Sequence, residues 1–347
     1  MCRIISKALS GINHLEKSKL EMYSMYDADS DANGNPYFNK QFFRGFEKKK
    51  LKFVLSAASR GRKFDTVLLS HINLLPAGWL VKILNPKTRL VLLTHGIEVW
   101  KKLGFMNRMM LRRCDGIISV SEFTKSKLEL VNKVPPSKIT VLNNCLDPFL
   151  PQPVTDNFNS MRAELGIPDS AKVMLTLTRL SVTERKKGYL DVISAMGKLL
   201  QEIPALYYVI AGGYDDEERN VIMKHAANCN VSNRVILPGF IPDDKLPSLF
   251  ASCDLYIMPS IKEGFGIVFI EALYYGLPVI AGNADGSVDA MQNGRLGTLV
   301  TPGNIASIVQ AIKETLSGKG AGMIQPGEVM ADFGFDRYQE KLQQLIT

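Results

Sequence analysis

The chain has 347 residues, 42 Lys+Arg against 34 Asp+Glu, and 46% hydrophobic residues. That length suits about two domains, and the composition excludes disordered, collagen-like and coiled-coil architectures. Five scattered cysteines (Cys2, Cys114, Cys145, Cys229, Cys253) argue against disulfide and zinc frameworks, and no apolar run reaches the roughly 18 residues of a membrane-spanning helix. Charge is unevenly shared. Residues 1–150 hold 25 Lys+Arg and 12 Asp+Glu, whereas residues 151–347 hold 17 and 22. A basic half joined to a mildly acidic one points to an anionic partner for the first: nucleic acid, a phosphorylated ligand or an anionic membrane.

The chain opens on a helical pattern, Met1–Leu9, with Ile4, Ile5, Ala8 and Leu9 as its apolar face. It does not read as a signal peptide, which with the free thiols gives a cytoplasmic expectation. Short apolar runs then alternate with amphipathic stretches. The strand candidates are Thr66–Ser70, Leu90–Thr94, Gly116–Val120, Ile139–Leu142, Val173–Thr178, Leu206–Ala211, Val235–Leu237, Leu255–Met258 and Pro278–Ala281. Nearly continuous Val/Ile/Leu runs suit parallel strands covered on both faces. Helical patterns such as Leu190–Gln201 and Asp216–Asn228 lie between them. Strand–helix alternation predicts an α/β, doubly wound architecture. The proline-rich stretch Asp147–Pro153 marks a boundary. The expected organisation is a first domain over 1–150, a second over 151–330, and a terminal helix within 331–347.

Three motifs carry chemistry. The first, Glu263–Glu271, reads Glu-Gly-Phe-Gly-Ile-Val-Phe-Ile-Glu and leads from a strand and loop into a helix. Its glycines let backbone N–H groups approach a ligand, and the helix N-terminus suits phosphate. Two carboxylates beside such a site suit sugar hydroxyls, which donate to them. The second motif is Arg179-Leu180 with Glu184-Arg185-Lys186-Lys187-Gly188, directly after a strand. Strand C-terminal ends are where open α/β sheets bind ligands, and Arg179 and Lys187 can hold a diphosphate. The third is Thr94-His95-Gly96, where a strand-end histidine can hydrogen-bond a hydroxyl or shuttle a proton.

Taken together, Arg179-Leu180, Lys187-Gly188, Gly212-Gly213, Pro238-Gly239-Phe240, Pro259-Ser260, Glu263–Glu271, Gly276–Val279 and Asp285-Gly286-Ser287 resemble the donor domain of family 4 (group 1) retaining glycosyltransferases. His95-Gly96, Val120–Thr124 and Asn144–Asp147 extend the resemblance into the first half. It implies a GT-B fold, with two Rossmann-like domains facing across a cleft. The acceptor would be bound mainly by 1–150, the donor mainly by 151–330, and the last helix would cross back to the first domain. It further implies that Arg179 and Lys187 hold the donor diphosphate and that Glu271 binds the ribose. Glu263 and the backbone of Gly264, Phe265, Gly266 and Ile267 would meet the sugar and phosphates, Ile241 would lie by the base, and His95 would contact the donor sugar. The family's same-face mechanism needs no protein nucleophile, so the catalytic assignment rests on His95, Glu263, Arg179 and Lys187. No metal and no cofactor beyond the nucleotide-diphosphate sugar is expected. The chain departs from the family at its start, where a strand and glycine-rich loop are expected to be missing.

Two basic stretches account for much of the first half's charge: Phe46–Val54, with Lys48, Lys49 and Lys50, and Trp100–Arg113, with Lys101, Lys102, Arg112 and Arg113. Both mix cations with large apolar residues, as interfacial helices do, and also as ordinary amphipathic helices do. No recognition fold or stacking platform accompanies them, which argues against nucleic acid. The expected function is transfer of a sugar to a glycan or lipid-linked acceptor at the cytoplasmic face of a membrane. A catalytically silent GT-B scaffold that binds nucleotide sugar is the alternative.

Overall fold

The computed structural model describes residues 2–12, 20–153, 158–319 and 324–346. The chain divides into two compact units, Met1–Pro148 with Gly334–Thr347, and Phe149–Phe333. Counted by these units, the charge split stays at +13 and −5.

The first unit begins with helix α1 (Cys2–Ser10), whose Ile4, Ile5 and Ala8 are buried as the periodicity predicts. Strands β1 (Met22–Ser24) and β2 (Phe43–Gly45) form a separate parallel pair that the sequence did not announce. Helix α2 (Lys50–Gly61) follows. The main sheet has β3 (Thr66–Leu69), β4 (Arg89–Thr94), β5 (Gly116–Ser119) and β6 (Ile139–Val141) in sequential order, all parallel. Helices α3 (Leu75–Leu84), α4 (Ile97–Trp100), α5 (Phe105–Arg112) and α6 (Glu122–Leu130) connect them. Leu75, Leu90, Leu92, Leu111, Ile117 and Leu128 fill the core between sheet and helices.

The basic stretch 46–54 is not one continuous helix. Phe46, Glu47 and Lys48 donate their N–H groups to the Ser24, Asp27 and Met25 carbonyls. Those bonds turn Glu47 and Lys48 into left-handed conformations (φ 47° and 65°), so α2 starts only at Lys50. Phe46 and Phe53 point inward and meet edge-on, with ring centroids 5.3 Å apart.

The second unit contains α7 (Phe158–Glu164), β7 (Lys172–Leu177), α8 (Tyr189–Leu199), β8 (Leu206–Ala211), α9 (Asp216–Asn228), β9 (Val235–Ile236), α10 (Leu246–Ala251), β10 (Leu255–Met258), α11 (Ile267–Tyr274), β11 (Val279–Gly282), α12 (Ser287–Ala290), β12 (Thr298–Val300), α13 (Ile305–Leu316) and α14 (Pro326–Phe333). Its six strands run parallel in the order β12-β11-β10-β7-β8-β9. Every residue of β10 is buried, and β7 and β8 nearly so, which explains their unbroken apolar sequences. Helix α8 shows the complementary pattern. Tyr189, Val192, Ile193, Met196 and Leu199 recur at helical spacing and are fully buried in one core with Tyr208, Leu255 and Ile257. At about 25 cal/mol per Å² of apolar surface, such a face fixes the helix far more firmly than intrinsic propensity does.

The last helix, α15 (Phe335–Ile346), belongs to the first unit. Gln339 donates to the Ala8 carbonyl at 2.7 Å and Arg89 to the Leu345 carbonyl at 2.8 Å.

Candidate functional site

In the second unit the strand order reverses between β7 and β10: chain order proceeds outward to β8 and β9 on one side, and to β11 and β12 on the other. At such a reversal the loops leaving two adjacent strands diverge and open a crevice at their C-terminal ends, which is where ligands bind in open α/β sheets. The two strongest sequence motifs lie on these loops. Residues 178–188 leave β7 and residues 259–266 leave β10.

The loops are tied together. Ile261 donates its N–H to the Lys186 carbonyl at 3.0 Å, and Lys262 Nζ donates to the Thr183 carbonyl at 3.0 Å. Lys187 is buried and pairs with the carboxylate of Glu263, with the Lys262 carbonyl 3.4 Å away and Glu184 at 3.9 Å. Gly188 has φ +84°, and a Cβ there would lie 2.4 Å from the Pro259 carbonyl oxygen. Only glycine permits both that backbone conformation and that approach. Arg179, just past β7, is exposed and makes no ion pair among the described residues.

A third loop supports the second. The fully buried Asp285 accepts hydrogen bonds from the N–H of Glu263 (2.7 Å) and of Ser287 (2.9 Å), while Gly286 donates to the Glu263 carbonyl at 2.8 Å. Burial pushes the Asp285 carboxyl above the usual carboxylate range, against the pull of those donors. The backbone at Glu263 is therefore fixed from both sides. Gly266, at φ +85°, turns the chain into α11. Phe269, Ile270, Ala272 and Leu273 bury that helix, leaving the half-buried Glu271 in its second turn. Burial and then the charge of Glu271 raise the pKa of the Tyr275 hydroxyl. The Phe265 side chain packs edge-on against Phe333 in the core, with ring centroids 5.7 Å apart. A ligand contact at this position is left to its backbone. Ile241 lies beyond β9, two strands away from β7 with β8 between. Its loop is tied to the one leaving β8 by Gly212 N–H donating to the Gly239 carbonyl at 2.8 Å.

The structure thus brings Lys187, Glu263 and the backbone of 264–267 to one place, with Arg179 and Glu271 on the same loops and helix. Sequence reading missed the buried Asp285 as the support of Glu263. It also missed Glu218, whose carboxylate meets Arg185 and Tyr189. The signal available was an acidic residue three positions after Asp215, which reads as helix capping rather than as a loop anchor.

In the first unit, His95 stands directly after β4 as expected. Its Nε2 lies 2.7 Å from the Ser70 carbonyl, which fixes that nitrogen as the donor, and its backbone N–H donates to Glu98 at 2.5 Å. Burial works against charge on the ring. The Cys2 thiol, the Ser70 carbonyl and the Glu98 charge outweigh it and raise the imidazole above its ordinary range. The Cys2 thiol is lowered in turn, chiefly by its hydrogen bond with His95. A second histidine, His71, lies with its ring centroid 6.3 Å from that of His95, and burial lowers its pKa.

The family described as "Glycosyl transferases group 1" matches residues 157–325, and that described as "Glycosyltransferase Family 4" matches residues 26–148. Among curated proteins, a GDP-mannose-dependent alpha-(1-6)-phosphatidylinositol monomannoside mannosyltransferase of Mycolicibacterium smegmatis is 30% identical over 247 residues, covering 66% of this chain and 61% of that protein. An alpha-monoglucosyldiacylglycerol synthase of Streptococcus pneumoniae is 29% identical over 182 residues, 51% of this chain and 39% of that protein. The chain therefore spans about three fifths or less of these relatives. Among solved structures, HepE of Anabaena in complex with UDP superposes with a TM-score of 0.82 at 19% identity, covering 99% of this chain and 94% of that one. The lipopolysaccharide outer core galactosyltransferase WaaB gives 0.71 at 18% identity, covering 98% and 93%. With parallel sheets in two Rossmann-like units and these matches along both, the chain belongs to the family 4 (group 1) glycosyltransferases of the GT-B fold.

Proposed function

We propose that the protein transfers a sugar, with retention of configuration, from a nucleotide-diphosphate sugar to a glycan or lipid-linked acceptor. The observation that carries this reading is the Lys187–Glu263 pair at the strand-order reversal, with Arg179 on the same loop as Lys187. When the anomeric C–O bond breaks, its electron pair passes to the diphosphate. Arg179, Lys187 and the N-terminus of α11 stabilise that charge as fixed electrostatic groups. The acceptor oxygen bonds to the anomeric carbon on the face the diphosphate leaves, and the acceptor's proton passes to the departing phosphate oxygen. Glu271 takes the ribose hydroxyls and Glu263 the sugar hydroxyls. The UDP-bound HepE structure supports a nucleotide-diphosphate donor.

A lipid-linked acceptor is supported by the relatives named for phosphatidylinositol mannosides and diacylglycerol, and by the surface of the first unit. No described helix is long and apolar enough to cross a membrane. Leu51 and Phe105 are each 74% exposed, and Leu55 and Met106 are exposed beside them. Lys48, Lys50, Lys52, Lys101, Lys102, Arg112 and Arg113 surround these side chains in the sequence, all exposed. Helix α3 packs against both α2 and α5. Exposed apolar groups among unpaired cations fit peripheral attachment to an anionic lipid surface on the cytoplasmic side.

The test is a thermal-shift screen of nucleotide sugars, since a bound donor raises apparent stability with the logarithm of its concentration. A transfer assay follows on wild type and Glu271→Ala. A stabilising donor and turnover that Glu271→Ala abolishes support the reading. Binding without turnover, with acceptors present, supports the silent scaffold instead.

A further inference from the structure

The basic run Glu184–Lys187 presents three cations to the donor loop, but the structure treats them differently. Arg185 turns away from the Lys187–Glu263 pair, toward the first turn of α9. Its Nε lies 3.0 and 2.8 Å from the two carboxylate oxygens of Glu218, and its Nη2 lies 2.8 Å from one of them. Glu218 has no solvent exposure. It also accepts the Tyr189 hydroxyl at 2.7 Å, and its own N–H donates to Asp215 at 2.7 Å. Tyr189 is the first residue of α8 and is itself fully buried. One buried carboxylate therefore grips the chain at 185 and at 189, on either side of Lys187 and Gly188.

We infer that Glu218 is a positioning residue of the donor site and that Arg185 is a strut rather than a phosphate ligand. This rests on the donor reading given above and deepens it. A buried carboxylate must have its hydrogen bonds satisfied, so Arg185 and Tyr189 cannot swing away without leaving Glu218 unpaired. The segment between them is then held in one conformation, with Gly188 pressed against the Pro259 carbonyl and Lys187 delivered beside Glu263. The bidentate fork of arginine suits this clamp, and lysine does not reproduce it.

The test is isothermal titration of UDP and UMP, and of GDP and GMP, into wild type, Glu218→Gln, Arg185→Lys and Lys187→Ala. The nucleoside monophosphate is the control that reports general damage to the fold. In Glu218→Gln the diphosphate should bind about tenfold or more weakly while the monophosphate changes by less than about twofold, as expected when a charged contact is displaced. Arg185→Lys keeps the positive charge and loses the fork, so it should show the same selective loss. It carries the test if Glu218→Gln does not fold. Unchanged diphosphate affinity in a folded Glu218→Gln, or in Arg185→Lys, overturns the inference, as does an equal loss for both ligands. If Lys187→Ala leaves diphosphate affinity intact, or if no diphosphate binds wild type, it is the donor reading that fails.

Discussion

The two units handle charge in opposite ways. The second carries a net −5, yet three of its cations are held by carboxylates, Lys187 by Glu263, Arg185 by Glu218 and Arg162 by Asp254, while Arg179 stays exposed. The first carries a net +13, much of it on exposed side chains of α2, α5 and their flanks. Partly buried ion pairs fix direction and distance, because the desolvated groups have few other partners. Solvated cations give a field instead, effective over roughly 8 Å at physiological salt. Orientation of one diphosphate calls for the first arrangement; attraction to an extended anionic surface calls for the second. On the proposed reading the donor lies on the acidic unit, where net charge alone would not place it.

The sharpest way to break this contrast is Lys187→Ala. If the second unit works by a few directed groups, donor turnover should fall by about 10²–10³, the loss typical of removing one preorganised charge-stabilising donor. Steady-state kinetics with the donor found in the thermal-shift screen would check it, and full activity would show that the paired lysine is structural. Next in size is the reversal of Lys48, Lys50 and Lys52 to glutamate. Binding to vesicles containing anionic lipid should weaken by roughly fivefold per removed cation, with neutral vesicles unaffected. Co-sedimentation measures it, and indifference to lipid charge would remove the membrane part of the proposal.

The smallest expected effect is on pH dependence. His95 has a raised pKa in the folded unit, so its contribution to stability is complete below about pH 6.5, the ordinary histidine value, and is lost as pH rises through the raised value. Thermal unfolding of wild type and His95→Gln should therefore differ most on the acidic side, with the gap closing toward alkaline pH. A gap that widens with pH would mean that His95 sits neutral in its pocket.

Much of the fold was legible in the chain. All nine strand candidates are strands within a residue or two, because runs such as Val173–Thr178 have no polar face to place toward water. What escaped were β1, β2 and β12, each three residues long. A segment so short has no periodicity, and partners on other segments define it. The helical reading of 46–54 held from Lys50 onward and failed before it, since backbone bonds to the 24–27 turn overrode the local pattern at 46–48. The candidate residues were legible by type and position: Arg179 and His95 lie just past β7 and β4, Lys187 and Glu263 on the loops leaving β7 and β10, and Glu271 in the second turn of α11.

The sequence by itself determined which loops follow the strands, because apolar runs dictate strands and the residues just past them lie at the ligand end of a parallel sheet. Tertiary structure alone decided how those loops are held. Lys187 meets Glu263 across 76 positions, Glu263 rests on Asp285 across 22, and Arg185 turns to Glu218 across 33. No spacing rule connects such pairs. They are set by which strands become neighbours and by the need to satisfy every polar group that the packing buries.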